Sequence, residues 1–472
     1  MPWVIIGLAV LASRAQTLFD PVLGFDEQFY LLMADRMLHG ALPYVDIWDR
    51  KPIGLFLIYV AAILPGGDPF VQYKLLAAAC VAATAYVIYR AALRDAGRFG
   101  ALVAALLYVF WLNFMDGEGG QPPVFYNLPM LLAALLVRRA ADRRGPLTLC
   151  GLAAMLLVGL AIQIKYTAVF EGLFFGLMLM REGYRAWGPS RRLIVWTLAW
   201  AGCALVPTAS AWGIYAALGH GDAFYFANFL SIFGRLPDPW SIQLAGLALI
   251  VAVIMPLAVI AVLAERQRQR GSFARYWAFA AALGLLVFGS FLSPGYAMPL
   301  IAPLCLCAAP WFSQARHGRT VAAMLLGLSL GGGSFVLAKT IEGKGNRTEA
   351  MAVAAAARPR HGGCIWVYDG YPALYMLTGS CLPTKWPFPG HLNTADEASP
   401  HAIGVEPAAE VRRILATRPE SIVDDYPAYH LGNRVTRALV QAELARSYRL
   451  VARVETGTGR FRLIYRRREL AE

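Results

Sequence analysis

One stretch of the sequence, between two apolar runs near the N-terminus, carries side chains suited to acid–base and anion-binding chemistry. Asp26 and Glu27 lie in its first half, and Asp46, Arg50 and Lys51 lie in its second half. A positioned carboxylate can take a proton from an attacking hydroxyl, while lysine and arginine bind anionic groups such as phosphate. The stretch is also long for a simple connector. We therefore take it as the candidate site.

Each of its first two carboxylates also has a purely structural explanation. Asp26 could cap a helix by accepting backbone N–H bonds, and Glu27 could be solvated surface. The residues that follow predict a helix with one apolar face, formed by Phe29, Leu32, Met33 and Met37. Such a helix should lie along the membrane surface and end near Gly40.

Two further candidates lie in or beside other apolar runs. Arg14 falls within the first run, where a permanently charged guanidinium is costly and usually faces a protein cavity or a counter-ion. Snorkelling to the interface is the alternative. Asp116 and Glu118 are the only charges of a later short loop. That loop is either a plain polar turn or a third part of the site.

The composition decides which solvent surrounds these residues. The 472-residue chain is 58% hydrophobic and 15% charged, with a mean hydropathy of +0.50, which is far too apolar for a soluble domain of this size. Its net charge of +13 lies in short basic clusters between apolar runs, as in cytoplasmic loops. We therefore predict a membrane protein that contacts lipids and binds no nucleic acid.

A membrane-spanning helix needs about 20 mostly apolar residues, and eleven segments of the sequence qualify. They are residues 3–19, 70–89, 99–115, 123–137, 146–164, 166–180, 193–217, 242–264, 276–292, 296–312 and 320–339. The shorter run from Pro52 to Pro65 predicts an interfacial or re-entrant helix. The first run lacks a basic leader and a cleavage site, so we expect it to remain as a span.

The basic residues predict the orientation of these spans. Arginine is concentrated in one alternate set of loops, for example at Arg138, Arg139, Arg143 and Arg144, and is sparse in the other set. The positive-inside rule makes the first set cytoplasmic. The N-terminus is then cytoplasmic, while the first outer loop, residues 20–69, and the tail beyond residue 340 lie outside. In a bacterial inner (cytoplasmic) membrane this outside is the periplasm.

The tail has a different pattern from the rest of the chain. Period-two segments predict strands at 364–369, 421–425, 448–455 and 460–465, with helices at 407–417 and 432–446. We therefore predict two domains, a transmembrane domain over 1–340 and a periplasmic α/β domain over 341–472. Cys364 and Cys381 could pair in an oxidising compartment, although spacing alone does not establish the geometry. Core packing is favoured over sugar stacking for the tail aromatics, which include Trp366, Tyr368, Tyr371, Tyr375 and Trp386.

A series of residues in and just before the first outer loop forms a recognisable pattern: Arg14, Asp26-Glu27, Tyr30, Gly40, Pro43-Tyr44, Asp46 and Lys51-Pro52. Their order resembles that of the polyprenyl-phosphate-sugar-dependent GT-C glycosyltransferases. More narrowly, it resembles glycosyltransferase family 39, which includes the protein O-mannosyltransferases and the lipid A aminoarabinose transferase. Weaker similarities are Gly159 to Ala161 followed by Lys165, and Tyr296 followed by Pro299 and Pro303. Two positions differ from the pattern: Ile53 replaces a frequent second proline, and Gly295 replaces a frequent histidine.

The resemblance implies a role for each matching residue. Asp26 is expected to be the catalytic base, and a single base implies inversion at the anomeric carbon. Lys51 and Arg14 are expected to meet the lipid phosphate of the leaving group, with Arg50 as a bidentate partner. The other residues expected to bind substrate are Glu27, Tyr30, Asp46, Glu118, Lys165 and Tyr296.

A metal ion is an alternative source of positive charge at such a site. Asp26, Asp46 and Glu118 could bind Mg²⁺ or Mn²⁺ through oxygen ligands. Because Lys51 and Arg14 can supply the same charge, we expect no strict metal requirement and assign no metal ligand.

These expectations combine into one description. The fold class is an all-α polytopic membrane protein with about 11 transmembrane helices, GT-C-like, with interfacial helices in the first outer loop and a small C-terminal α/β domain. The function implied is an inverting glycosyltransferase that moves a hexose or pentose from a polyprenyl-phosphate donor to lipid A, a glycan or a protein. Two other functions stay open: a transporter or flippase of a lipid-linked glycan, and an inactive envelope-assembly protein.

Overall fold

The computed structural model describes residues 1–268 and 271–470. Gln269 and Arg270, in a predicted cytoplasmic loop, and Ala471 and Glu472, at the end of the predicted tail domain, lie outside the described residues. The helices are α1 (Pro2–Arg14), α2 (Phe25–Leu38), α3 (Ile53–Ile63), α4 (Pro69–Trp111), α5 (Pro122–Ala141), α6 (Leu147–Ile162), α7 (Ala168–Trp187), α8 (Arg191–Ala217), α9 (Gly221–Tyr225), α10 (Trp240–Arg266), α11 (Phe273–Phe288), α12 (Ile301–Gln314), α13 (Gly318–Lys344), α14 (Arg347–Ala357), α15 (Leu374–Thr378), α16 (Gly390–Asn393), α17 (Pro400–Ile403), α18 (Pro407–Ala416) and α19 (Arg434–Ser447). The strands are β1 (Ile365–Val367), β2 (Ser421–Tyr426), β3 (Tyr448–Gly457) and β4 (Arg460–Arg467).

The helices confirm the predicted helical membrane architecture. Among residues 1–268 and 271–470, six helices are long and apolar enough to cross a membrane, and α1, α3, α6 and α11 are shorter apolar helices. The predicted number of eleven spans is therefore not established by length and composition. The predicted segment 70–89 lies in α4, and the segment 99–115 begins in α4 and extends past its end at Trp111. The helix changes direction at Gly97, where φ is +62°. Glycine adopts this conformation without steric cost.

The chain folds into two compact units, which we call the helical unit and the mixed unit. The helical unit comprises Met1–Thr17, Lys74–Ala211 and Pro239–Leu337. The mixed unit comprises Leu18–Tyr73, Trp212–Asp238 and Ala338–Glu472. The first outer loop and the tail therefore belong to one unit, whereas the division at residue 340 that we made from the sequence stays a prediction.

Small residues allow close helix packing within the helical unit. A Cβ atom on Gly151 of α6 would come within 2.3 Å of the indole nitrogen of Trp200 in α8, which donates to the Thr148 carbonyl at 3.3 Å. A Cβ atom on Gly159 of α6 would come within 2.5 Å of the Ala204 carbonyl oxygen in α8. Membrane helices associate through such backbone proximity because lipid supplies no hydrophobic drive between them. The two glycines thus allow α6 and α8 to pack closely.

The tail of the mixed unit has the predicted α/β structure. Its described part contains one four-stranded sheet in the order β1-β2-β4-β3. β1 pairs with β2 in parallel, and the other two pairings are antiparallel. The hairpin between β3 and β4 turns at Thr458 and at Gly459, where φ is +71°. The predicted strands and helices are therefore present with small shifts at their ends.

Two open questions about the tail are answered by its packing. Cys364 and Cys381 form a disulfide with a Cα–Cα distance of 5.0 Å. The five tail aromatics named from the sequence are buried, namely Trp366, Tyr368, Tyr371, Tyr375 and Trp386. These rings are core side chains, as favoured from the sequence, because their apolar surface is withdrawn from water.

A buried ion pair in this tail leads to a stability prediction. The Asp425 carboxylate accepts from Arg460 Nε at 2.9 Å and pairs with Arg462, which is 3% exposed. Replacing Asp425 by Asn leaves two guanidinium groups without their counter-charge, so we expect the free energy of unfolding to fall by about 1.5–3 kcal/mol. Thermal unfolding in detergent, followed by tryptophan fluorescence, measures this change.

The matched control for that prediction is an exposed ion pair of the same tail. Glu469 lies 2.5 Å from Arg418, and both side chains are more than half exposed. Glu469→Gln should change the free energy of unfolding by no more than about 1 kcal/mol, since solvent screens exposed pairs. Equal melting temperatures for Asp425→Asn, Glu469→Gln and the parent protein would show that burial gives the Asp425 pair no added stability.

Candidate active site

Helix α2 positions the first two carboxylates of the candidate site. The helix begins at Phe25 with Gly24 as its N-cap, so Asp26 lies in the first turn and is not the capping residue. Carboxylates are favoured there because the N-terminal end of a helix carries partial positive charge. Asp26 is partly exposed, whereas Glu27 is 2% exposed. The solvated-surface explanation of Glu27 is therefore wrong.

Burial of α2 is wider than the predicted apolar stripe. The residues from Glu27 to Ala34 are all buried, on every side of the helix, while Met37 is only partly buried. Helix α3 packs on one side, and the Phe388 ring lies 5.2 Å from that of Phe29. Periodicity alone does not predict the burial of α2 on every side, because a helix surrounded by protein has no solvent-facing side.

Tyr30 lies between a carboxylate and an ammonium group of the mixed unit. Its hydroxyl donates to Asp26 Oδ2 at 3.4 Å, and Lys51 Nζ lies 5.6 Å from the centre of its ring. The ring itself is buried against Tyr59, at 5.7 Å between ring centres. The structure thus brings together three residues that the sequence singled out, Asp26, Tyr30 and Lys51.

The backbone that carries Lys51 is held by two neighbouring side chains. Tyr44 donates its hydroxyl hydrogen to the Lys51 carbonyl at 2.8 Å. Asp49 Oδ1 accepts from the backbone nitrogens of Arg50, at 2.5 Å, and Lys51, at 3.3 Å. Burial raises the pKa of the Asp49 carboxyl, and the charges of Lys51 and Arg50 oppose that shift. Sequence reasoning missed Asp49, although its position directly before two cations was a usable signal.

Asp46 and Arg50 each contact other groups of the protein, and their predicted roles in substrate binding stay predictions. Asp46 is exposed, and its carboxylate accepts from the Leu42 nitrogen at 2.7 Å, which stabilises the turn before Lys51. Arg50 donates from its two terminal nitrogens to the two carboxylate oxygens of Glu397, at 2.5 and 2.6 Å. Nothing in the sequence pattern indicated Glu397, because 347 positions separate it from Arg50.

Arg14 and the second acidic loop lie in the helical unit. The Arg14 guanidinium is buried, with 5% of the residue exposed, and donates to the Gly117 carbonyl at 2.7 Å. This contact places Arg14 beside the loop that contains Glu118, which is also buried. Asp116 is exposed and accepts from the Ser293 hydroxyl at 2.7 Å. The guanidinium therefore points into protein, as expected for a charge inside an apolar run, and does not snorkel.

Lys165 and Tyr296 also come together in the helical unit. Lys165 Nζ lies 4.1 Å from the centre of the Tyr296 ring, which is within cation–π range. Tyr296 lines a small pocket with, among others, Phe288 and Glu171. The Glu171 carboxylate accepts from the Trp277 indole nitrogen at 2.5 Å. Sequence reasoning missed Glu171, although an acidic residue within an apolar run was a signal of the same kind as Arg14.

The acidic residues considered as metal ligands belong to different units. Asp26 and Asp46 are in the mixed unit, and Glu118 is in the helical unit. Within the described ranges, no group of three or more His, Cys, Asp and Glu side chains is placed to hold a metal ion. The expectation that no strict metal requirement exists stays a prediction.

Comparison with known proteins identifies the class of this fold. The family model of the dolichyl-phosphate-mannose-protein mannosyltransferases matches residues 49–212, a range that includes Lys51 but not Asp26. No curated protein sequence matches the chain significantly. The match to a family model supports glycosyltransferase as the class of activity.

Solved structures extend the comparison to the whole chain. The structure is similar to that of ArnT from Cupriavidus metallidurans bound to undecaprenyl phosphate, with a TM-score of 0.67, 15% identity and 98% coverage of each chain. It is also similar to the oligosaccharyltransferase of Archaeoglobus fulgidus, with a TM-score of 0.54 and 13% identity over 90% of this chain and 68% of that one. The mycobacterial arabinofuranosyltransferase AftD matches with a TM-score of 0.52 and 16% identity, over 98% of this chain and 39% of that one.

These matches define the protein as one with the GT-C glycosyltransferase fold. The resemblance to that superfamily, and to the mannosyltransferase and ArnT group within it, is confirmed. At such low identities the solved structures show the fold alone, so donor, acceptor and site residues require their own argument.

Proposed function

We propose that this protein transfers one sugar from a polyprenyl-phosphate donor to an acceptor hydroxyl, with inversion at the anomeric carbon. The observation that carries the proposal is the placement of Asp26 and Lys51 around Tyr30 in one unit. A proton acceptor and a fixed cation near each other are what displacement of a phosphate by a hydroxyl requires.

The proposed reaction has one displacement step. Asp26 takes the proton of the acceptor hydroxyl as its oxygen attacks the anomeric carbon, and the bond from that carbon to the phosphate oxygen breaks. The polyprenyl phosphate leaves with the bonding electrons, and Lys51 stabilises its growing negative charge. Products are the glycosylated acceptor, the lipid phosphate and a proton on Asp26, which solvent then removes.

Apart from Asp46 and Arg50, the remaining predicted residues keep proposed roles in substrate binding. In the mixed unit, Tyr30 orients Asp26, and Glu27 lies beside it in the first turn of α2. In the helical unit, the proposed substrate-binding residues are Arg14, Glu118, Lys165 and Tyr296. The burial of Arg14 and Glu118, and the pairing of Lys165 with the Tyr296 ring, are unusual for charged groups in or beside apolar segments and favour function over mere solvation.

The proposed location is a bacterial inner membrane, with the N-terminus cytoplasmic and the tail periplasmic. The arginine-rich loops support this orientation. A lipid-linked donor suits that compartment, and the similar ArnT structure contains undecaprenyl phosphate. The acceptor class we propose is a hydroxyl of lipid A, an envelope glycan or a protein.

Reconstitution in closed lipid vesicles tests the proposal. Purified protein is incubated with an undecaprenyl-phosphate sugar and with envelope extract from a deletion strain, and mass spectrometry compares the products with the envelope of the parent strain. We expect a mass increase of one sugar on one acceptor class and release of undecaprenyl phosphate. Movement of the intact donor across the bilayer without any transfer would favour a transporter.

Chelation provides a further prediction. Transfer should be unchanged, within about twofold, in EDTA, since lysine and arginine can supply the positive charge that a divalent cation would otherwise provide. The rate is measured with and without EDTA, and again after Mg²⁺ or Mn²⁺ is added back. Loss of transfer that either cation restores would contradict the expectation and assign a metal to the site.

A further inference from the structure

Arg50 and Glu397 form a largely buried, bidentate ion pair within the mixed unit. The two N–H···O contacts measure 2.5 and 2.6 Å, and the side chains are 14% and 5% exposed. The same guanidinium donates to the Ala402 carbonyl at 3.1 Å and to the Ser231 hydroxyl at 3.4 Å. Parallel Arg–carboxylate bonds constrain both position and direction. Arg50 is therefore held by residues far from it in the sequence.

A second arginine and a second carboxylate extend this ion pair into a four-residue cluster. Arg235 Nε lies 3.1 Å from Glu397 Oε1, and its terminal nitrogen pairs with Asp396. Two guanidinium groups thus face two carboxylates, and the formal charges within the cluster cancel. Removing one member of such a cluster leaves a buried charge without its partner, which is strongly unfavourable.

The ion pair anchors the segment that carries Lys51. The backbone nitrogen of Trp48 donates to the Lys385 carbonyl at 2.7 Å. The segment is therefore joined to the tail at two points, Trp48 and Arg50. The Arg50 guanidinium also lies 5.2 Å from the centre of the Trp48 ring. Lys51 follows directly, and one peptide bond transmits any displacement of Arg50 to its backbone.

We propose that Glu397 is a positioning residue for donor binding: from the tail it holds the Arg50 guanidinium and thereby fixes the position of Lys51. This inference rests on the proposed function, in which Lys51 binds the phosphate of the polyprenyl donor. It also gives Arg50 the role of an anchor in place of a phosphate ligand, because both of its terminal nitrogens already bind Glu397.

The direction in which one substitution changes phosphate affinity distinguishes the two possible roles of Arg50. Glu397→Gln removes a negative charge from the neighbourhood of a phosphate site, and Coulomb's law alone then predicts tighter phosphate binding. If Arg50 were a phosphate ligand, releasing it from Glu397 would strengthen binding further. If Glu397 instead positions Lys51, the same substitution weakens binding although the local charge becomes more positive.

The experiment measures undecaprenyl phosphate affinity by calorimetry in detergent, together with KM for the donor and kcat. We expect Glu397→Gln to raise Kd and KM about tenfold, a change of about 1.4 kcal/mol, with kcat within about twofold. Glu397→Asp, which keeps the charge, should recover part of the affinity. Unchanged or tighter binding by folded Glu397→Gln protein would overturn the inference.

Asp396→Asn is the matched control. It removes a neighbouring carboxylate from the same cluster, but the acid it replaces pairs with Arg235 and not with Arg50. The Kd of Asp396→Asn for undecaprenyl phosphate should stay within about twofold of the parent value. If Asp396→Asn and Glu397→Gln weaken binding equally, the stability of the tail sets the affinity and the positioning of Lys51 does not. If the parent protein itself binds no polyprenyl phosphate, the proposed function fails, whereas binding that Glu397→Gln does not weaken refutes the positioning role alone.

Discussion

Asp26→Asn should abolish sugar transfer while leaving the protein folded and able to bind polyprenyl phosphate. Asparagine is nearly the same size as aspartate but cannot accept the proton of the attacking hydroxyl, so the rate should fall by about 10²–10⁴-fold. Stability should change little, because Asp26 is partly exposed and loses only a favourable interaction with the N-terminal end of α2, worth about 0.3–1 kcal/mol. Single-turnover transfer of a labelled sugar measures the rate.

The control for this variant lies on the same helix. Asp35 is another aspartate of α2, with its carboxylate 3.8 Å from Arg36 Nε and its side chain 26% exposed. Asp35→Asn removes the same charge from α2 without touching the proposed base, so transfer should continue at the parent rate. Parental activity in Asp26→Asn would exclude Asp26 as the base, and equal losses in both variants would point to the folding of α2.

Lys51→Ala has the second largest expected effect, on affinity for the leaving group. The ammonium group of Lys51 is the proposed partner of the lipid phosphate, and removing one member of a close charge pair costs about 2 kcal/mol or more. We therefore expect the Kd of undecaprenyl phosphate to rise at least about 30-fold. Lys51→Arg, which keeps the positive charge, should lose less. Calorimetry with the detergent-solubilised protein gives both values.

A lysine with similar surroundings serves as the control. Lys385 is partly buried in the mixed unit, and its Nζ lies 4.6 Å from the centre of the Trp386 ring, as Lys51 Nζ lies near that of Tyr30. Lys385→Ala should leave the Kd within about twofold of the parent value. If Lys51→Ala also binds undecaprenyl phosphate with the parent affinity, another cation contacts the phosphate. The proposed stabilisation of the leaving group by Lys51 is then wrong.

The network around Lys51 shows how the tail takes part in the proposed chemistry. The tail sheet and the first outer loop share one unit, and Glu397 and Lys385 of the tail contact the segment from Trp48 to Arg50. A loop alone holds a charged side chain loosely because its backbone has few partners. Anchoring by the tail therefore reduces the conformational freedom of Lys51 before any donor binds.

Much of this protein was determined by the sequence alone. Apolar runs of membrane length follow from composition, and the strands of the tail and helix α2 follow from periodicity, both of which each segment carries within itself. The contact between Asp26 and Tyr30 belongs with these, because residues four apart on a helix are neighbours. The candidate site was recognisable for the same reason, since most of its residues lie within one loop.

Only the tertiary structure decided which partners those residues have. The ion pair of Arg50 joins residues 347 positions apart, and the burial of α2 on all sides comes from α3 and from Phe388 of the tail. The disulfide between Cys364 and Cys381 also depended on how the intervening chain turns. Local propensity contains no information about such distant contacts, because they arise when separate elements pack and bury their charges and rings together.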